Sequence, residues 1–263
     1  MHPLQVLFFR NVIGLALMMP WLLKSGISAM RSKRLPLHIL YASLVYLSMS
    51  TWYYAIPRVT LVDAVALSFT IPFITTGLAA TFLGEKVRWR RWLAIATGFA
   101  GALLILRPGF GNVDPNMLLI VLNVLGWAAA VIMIKVLNRK DSTNAIVSYM
   151  FVLLTPMSLP AALDNWRDPT WTSIPWILLL GLAGWAGHVC ATRAVSLAPM
   201  SLVMPIEFIR LPLLGVIGFF AFGEAPDHWT LIGSAVIVAA ALYVGHREAR
   251  VEAGRAGGGA AQA

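Results

Sequence analysis

The chain has 263 residues, of which 59% are hydrophobic and only 12% charged, and its mean hydropathy is +0.77. Soluble domains average about 25% charged residues, so this composition excludes a disordered chain, a collagen-like fibre and a disulfide scaffold, and points to an integral membrane protein. The net charge of +9 would suggest nucleic acid in a soluble protein, but here the basic residues sit in short loops between apolar runs, where they report orientation.

A membrane-spanning helix needs about 20 mostly apolar residues. The sequence predicts nine such runs, over residues 4–23, 36–56, 61–83, 92–106, 116–137, 145–163, 175–197, 200–222 and 229–245. The connections are short, so none holds a separate soluble domain. The first run has no basic segment ahead of it and reads as a retained span, not a cleaved leader. Residues 248–263, rich in Gly and Ala, read as a disordered tail. Of the 20 Lys and Arg, 15 fall in the tail and on the side of the loop after the first run. Three (Arg58, Arg107 and Arg167) fall on the other side, and Arg10 and Arg210 lie within runs. Basic loops stay inside, so the C-terminus is expected in the cytoplasm and the protein in a bacterial cytoplasmic membrane.

The third run ends Phe82-Leu83-Gly84-Glu85 and the eighth ends Ala221-Phe222-Gly223-Glu224, 139 residues later. At the same offset Ala55 meets Ala194 and Phe69 meets Phe208. The first Gly-Glu pair opens a basic loop and the second opens a loop without Lys or Arg, so the two turns are expected on opposite faces. Repeats with an odd number of helices produce that inversion, a signature of secondary transporters.

The stretches Leu61-Val-Asp-Ala-Val-Ala-Leu-Ser-Phe-Thr-Ile-Pro-Phe73, Phe82-Leu-Gly-Glu-Lys86 and Gly98-Phe-Ala-Gly-Ala-Leu-Leu-Ile-Leu-Arg-Pro108 resemble the first repeat of the EamA-type transporters of the drug/metabolite transporter superfamily. Pro205-Ile-Glu-Phe-Ile-Arg-Leu211 and Phe222-Gly-Glu-Ala-Pro226 resemble the second repeat, and Phe8-Phe9-Arg10-Asn11 resembles the family's second helix. The resemblance implies ten helices in two inverted repeats around a central cavity, and the family's opening helix is absent from this chain. The expected fold is therefore an all-α polytopic membrane protein with nine transmembrane helices. These form a first repeat over residues 1–113, with four helices, and a second over 114–247, with five.

Transport needs no nucleophile, so the candidate site residues are polar or aromatic groups within spans. A charged side chain at a span centre costs about 2.5–3.5 kcal/mol on insertion scales. Glu207 and Arg210 lie roughly 10–15 Å deep at 1.5 Å per residue, three apart on one helix face. They are expected to be buried, either as a cavity-lining pair or as a structural ion pair. Arg10 and Asn11 lie in the first run. Arg10 either binds an anionic group, pairs with Glu207 or Asp63, or snorkels to the outer surface. His188 follows Gly181, Gly184 and Gly187, whose spacing suggests close helix contact, and is either a cavity group or a packing histidine. Trp127 and Trp185 lie mid-span, as stacking walls or as packing, and Asn123 adds a polar group one turn before Trp127. Trp52, Tyr53 and Tyr54 read as an interfacial belt. Pro72, Pro156, Pro205 and Pro212 mark hinges or static kinks. Asp63 reads as a helix N-terminal carboxylate.

The single cysteine, Cys190, excludes an internal disulfide, and no metal-ligand spacing surrounds it. Gly109-Phe110-Gly111 reads as a turn, not a nucleotide fingerprint, so no cofactor is expected. The expected function is a secondary transporter, a permease or exporter, that moves a small organic metabolite or drug-like solute by alternating access. A proton gradient or solute exchange would drive it. Its partners are the solute, the bilayer and a second copy of the chain, with no nucleic acid. Two rival readings are a membrane-embedded enzyme and an inactive or assembly-only truncated transporter. The enzyme would need converging nucleophile, base or metal ligands, and only His188 of the five histidines is central.

Overall fold

A computed structural model describes residues 1–26, 32–59, 61–85, 87, 89–106, 115–164, 166–213, 216, 220, 228–240 and 242–243. The side chains of 61–63, 66, 91, 105–106, 201 and 205 fall outside that description. Asp63's side chain, the Gly109–Gly111 turn, the second Gly-Glu pair at Gly223–Glu224 and the tail over 248–263 therefore lie beyond it.

The described secondary structure is helical: α1 Pro3–Ser25, α2 Leu35–Ala55, α3 Leu61–Ser68, α4 Ile71–Phe82, α5 Trp89–Leu106, α6 Met117–Leu137, α7 Thr143–Leu163, α8 Ile174–Leu197 and α9 Met200–Val203. A 3-10 helix, Met204–Ile209, follows α9, and α10 spans His228–Ala240. Among the described residues α1, α6, α7 and α8 are long and apolar enough to cross a membrane. Local chemistry sets several ends. Pro3 opens α1, where its missing N–H leaves no bond unmade, and Ser142 Oγ accepts from the N–H of Ala145 at the start of α7, 3.3 Å away, a side-chain N-cap.

Two of the predicted runs are not single helices. The third breaks at Phe69–Thr70 into α3 and α4. Pro72 lies in the first turn of α4, so this proline restarts a helix instead of kinking one. The eighth begins as the one-turn α9 and tightens to 3-10 geometry, with Pro205 in the first turn of the tightened segment. Pro156, by contrast, is carried inside α7.

The chain forms two compact units, and neither coincides with a half of the sequence. The first combines Met1–Ala64 with Val113–Ala198, and the second combines Val65–Asn112 with Pro199–Ala263. In the first unit α2 packs chiefly on α6, and α1 on α7 and α8. Glycines set these approaches. A Cβ on Gly14 would collide with the Phe151 ring, one on Gly181 would meet Ile13, and one on Gly126 would lie 3.4 Å from the Leu44 carbonyl. Small residues allow this close approach in lipid, where hydrophobic driving force between helices is lacking.

The second unit has an apolar core of Phe69, Ile95, Ala102, Phe208, Leu211 and Ile237, with Val65, Phe73 and Phe99 against it. The Phe69 and Phe208 rings stack with centroids 5.3 Å apart and planes 17° apart. These are the two phenylalanines related by the 139-residue offset. Gly101 of α5 faces Ile237 and the Gly233 carbonyl of α10; a Cβ there would stand 3.0 Å from that carbonyl oxygen. Backbone yields less readily than a side-chain tip, so Gly101→Ala is expected to lower the thermal midpoint of the purified protein. Gly187→Ala, with nothing within 4 Å of its Cβ, should leave the midpoint unchanged or raise it, because alanine favours a helix by about 1 kcal/mol over glycine.

Candidate functional site

The first unit gathers Arg10, Trp127 and His188 from three helices. Arg10, on α1, is 7% exposed. Its Nη1 donates to Met49 Sδ on α2 at 3.5 Å, a weak acceptor. Its guanidinium occupies the place a side chain at residue 184 would take, since a Cβ on Gly184 would collide with it. Within this unit no described carboxylate lies in ion-pairing range of Arg10; the described ion pair is His38–Asp141. His188, on α8, is 6% exposed and lies between two rings, with centroids 5.7 Å from Trp127 and 6.0 Å from Phe151. Both His188 and Tyr53 are within electrostatic reach of Arg10.

The two asparagines hold helices together. Asn123 Nδ2 donates to the Ser48 carbonyl at 2.8 Å and to Ser48 Oγ at 2.9 Å, while Ser48 Oγ donates to the Asn123 carbonyl at 3.0 Å. Asn11 Nδ2 donates to Ser158 Oγ at 3.3 Å. The Trp185 indole N–H donates to Met18 Sδ at 2.9 Å, joining α8 to α1. Trp185 is thus engaged in packing at its polar tip, whereas Trp127 faces His188.

Glu207 and Arg210 belong to the second unit. The expectation that they are buried fails: both are exposed, and among the described residues no ion pair joins them. Glu207 lies on the 3-10 segment, where the rise is about 2 Å per residue instead of 1.5 Å, so the two side chains stand further apart along the axis than on an α-helix. The Arg210 guanidinium sits 5.2 Å from the Phe69 ring centroid, within the range of a cation–π contact.

Several residues in these arrangements carried no signal of their own in the sequence. Met49 and Phe151 look like any apolar residue in a span. Ser48 and Ser158 were legible only as small polar residues within apolar helices, and Tyr53 read as belt. His38, set aside as a helix-end histidine, is fully buried. Its Nε2 lies 3.4 Å from Asp141 Oδ2 and its ring stacks on Tyr149 with centroids 4.2 Å apart.

The sequence model of the EamA-like transporter family matches residues 1–107 and again 115–245. The chain belongs to the EamA-like transporter family. Among relatives of this EamA-like transporter, an S-adenosylmethionine uptake transporter of Rickettsia bellii is 29% identical over 248 residues, covering 94% of this chain and 85% of that one. A riboflavin transporter of Brucella anthropi is 32% identical over 245 residues, covering 91% and 86%. A protein known from its crystal structure shares the fold, with a TM-score of 0.79 at 19% identity over 95% of this chain and 89% of that one. This EamA-like protein is a multi-pass membrane protein that transports a small metabolite; it is not an enzyme.

The asparagine contacts separate scaffold from site. Asn123→Ala removes the amide that bonds Ser48 across α2 and α6. Each lost bond in a buried setting costs about 1–3 kcal/mol, so a lower yield and a lower thermal midpoint are expected. The protein that does fold should keep most of its transport, measured per milligram of monodisperse protein.

Proposed function

We propose that this EamA-like protein is a secondary transporter moving a small organic solute by alternating access. The observation that carries the reading is the buried cation of Arg10, within electrostatic reach of His188, whose ring in turn neighbours Trp127. Charges inside spans are rare and mark solute or ion pathways. Trp127 and Tyr53 offer faces for a planar organic body. The relatives named for S-adenosylmethionine and riboflavin favour a solute that carries a heteroaromatic ring. Asn11 and Asn123 fix the helices that carry this group, and Trp185 fixes α8 against α1. In the second unit, Glu207 and Arg210 are the exposed polar groups that we assign to solute handling.

The proposed architecture is nine spans in two inverted repeats, over 1–113 and 114–247, with a cytoplasmic tail over 248–263. It lies in the cytoplasmic membrane and is able to pair with a second copy. The two successive family matches, which part between residues 107 and 115, support the repeats. So do the helix irregularities at Phe69 and Phe208, which stand at the repeat offset and stack on one another.

Reconstitution tests the transport reading. Purified protein in proteoliposomes, assayed in both directions with and without a proton gradient against a panel of ring-bearing metabolites, should give saturable flux for at least one solute; folded protein with no flux for any would count against it. Glu207→Gln and Arg210→Ala should each lower that flux about tenfold or more with normal yield. Because no ion pair links them, their effects should multiply in the double variant, as for independent sites.

Orientation is a separate test. Reporter fusions at Ser32 and Asn144 should read cytoplasmic, and those at Asn112 and Trp166 external. A cytoplasmic reading at Trp166 changes the parity of the second half and removes the inverted repeat.

A further inference from the structure

We propose that Arg10 and its seat on Gly184 form a binding site for the carboxylate of an organic monoanion. The inference rests on the transporter reading and narrows its cargo to a singly charged acid with an apolar or ring-bearing body.

A guanidinium has five N–H donors and no acceptor. In this protein Arg10 is 7% exposed, and its hydrogen bond among the described residues goes to a thioether sulfur. A buried cation with unfilled donors calls for an oxyanion, and the planar fork of arginine matches a carboxylate with two parallel bonds. The unit's other cations in helix-end positions are already engaged. Arg34 Nη1 donates to the Val136 carbonyl at 3.1 Å, and Lys135 Nζ donates to the carbonyls of Val195 and Ala198 at 2.8 and 2.6 Å. A single buried cation balances one negative charge. A dianion such as phosphate would keep an uncompensated charge in a low-dielectric interior, where that is costly.

The surroundings describe the rest of the ligand. Gly184 has no side chain, and the guanidinium takes that space. Three residues further along α8, Gly187 is exposed and a Cβ there would meet nothing within 4 Å, so no side chain of this unit covers that stretch of the helix. Met49 meets the guanidinium, Tyr53 and His188 lie within its electrostatic reach, and the rings of Trp127 and Phe151 neighbour His188. These suit an apolar or ring-bearing body and offer no carboxylate to compete for the cation.

The test uses the full chain in neutral detergent and three acids, benzoate, phenylacetate and nicotinate, each paired with its carboxamide. Binding is read as thermal stabilisation over a concentration series. At least one acid should act at about tenfold lower concentration than its amide, the scale of a charge-assisted hydrogen bond. Arg10→Gln should erase that difference, and Arg10→Lys should keep part of it. Gly184→Ala, which displaces the guanidinium without touching its charge, should shrink it at normal yield. Equal potency of acid and amide, a preference that survives Arg10→Gln, or no response to any acid would overturn the proposal. A stronger response to inorganic phosphate or to phosphatidylglycerol micelles than to the acids would overturn it too. Flux measured in parallel keeps the two readings apart. A transported neutral solute indifferent to Arg10→Gln removes this assignment and leaves the transporter intact. Acid preference in a protein that moves nothing removes the transporter instead.

Discussion

A peptide group without a hydrogen bond costs several kcal/mol in hydrocarbon, and this constraint governs the whole architecture. It explains why the described elements are helical, and it makes the two interruptions the informative places. At the first, the Thr70 N–H bonds the Leu67 carbonyl at 3.0 Å and Thr70 Oγ1 bonds the same carbonyl at 2.7 Å. The Phe73 N–H returns to the Thr70 carbonyl at 3.1 Å. These bonds satisfy part of the backbone that the break would otherwise leave unpaired. At the second, 3-10 bonding has the same effect, and the Arg210 N–H reaches the carbonyls of Glu207 and Phe208. Phe69 and Phe208, one at each interruption, are buried and stack on one another, so each irregular segment has an aromatic contact on one side.

The same constraint gives a local meaning to the basic residues that report orientation. The last four carbonyls of a helix have no partner within it, and cations favour that end. Arg34 serves the end of α6 through Val136, and Lys135 serves the end of α8 through Val195 and Ala198. Asn138 Nδ2 adds a bond to the Thr192 carbonyl at 3.4 Å. Residues counted in the sequence as a topology signal are therefore also the caps of helix C-termini. The buried His38–Asp141 contact ties the start of α2 to the loop after α6 in the same region.

Much of the fold was legible because lipid forces a simple rule: a run of about 20 apolar residues is a helix. Boundaries such as 4–23 against Pro3–Ser25, and 175–197 against Ile174–Leu197, differ by a residue or two. The rule is blind to what happens inside a run. Composition does not tell a proline carried within a helix from one that starts a new helix, so the break before Pro72 was not visible, whereas Pro156 lies inside α7. The site was legible where side-chain chemistry was out of place in an apolar run, as for Arg10 and His188. It was not legible where exposure depends on which neighbours pack nearby. Glu207 and Arg210 show this: depth along the run is a sequence property, but burial is a tertiary one. Nor did the chain order reveal that each compact unit draws segments from both halves.

That interleaving makes the passage between units a structural problem of its own. The chain leaves the first unit at Ala198 and enters the second at Pro199, both in extended conformation. On the near side Lys135 holds the Ala198 carbonyl. On the far side the Met200 N–H donates to Glu85 Oε1 at 3.2 Å. Glu85 belongs to the Gly-Glu pair that ends α4, where Gly84 adopts φ of 68°, a value that glycine reaches without the Cβ clash other residues incur. The glycine turns the chain, and the carboxylate beside that turn accepts from the first N–H of α9, another helix of its unit. The motif that first suggested a repeat thus has a physical explanation, because it ends one helix and starts another that is distant in sequence. Side-chain hydrogen bonds join helices of the first unit at Asn11–Ser158, Asn123–Ser48 and Trp185–Met18. In the second unit the described core is apolar and aromatic, and the Glu85–Met200 bond adds a directional contact where α9 begins, so the Gly-Glu motif supplies a fixed point beside a core that is otherwise held by packing.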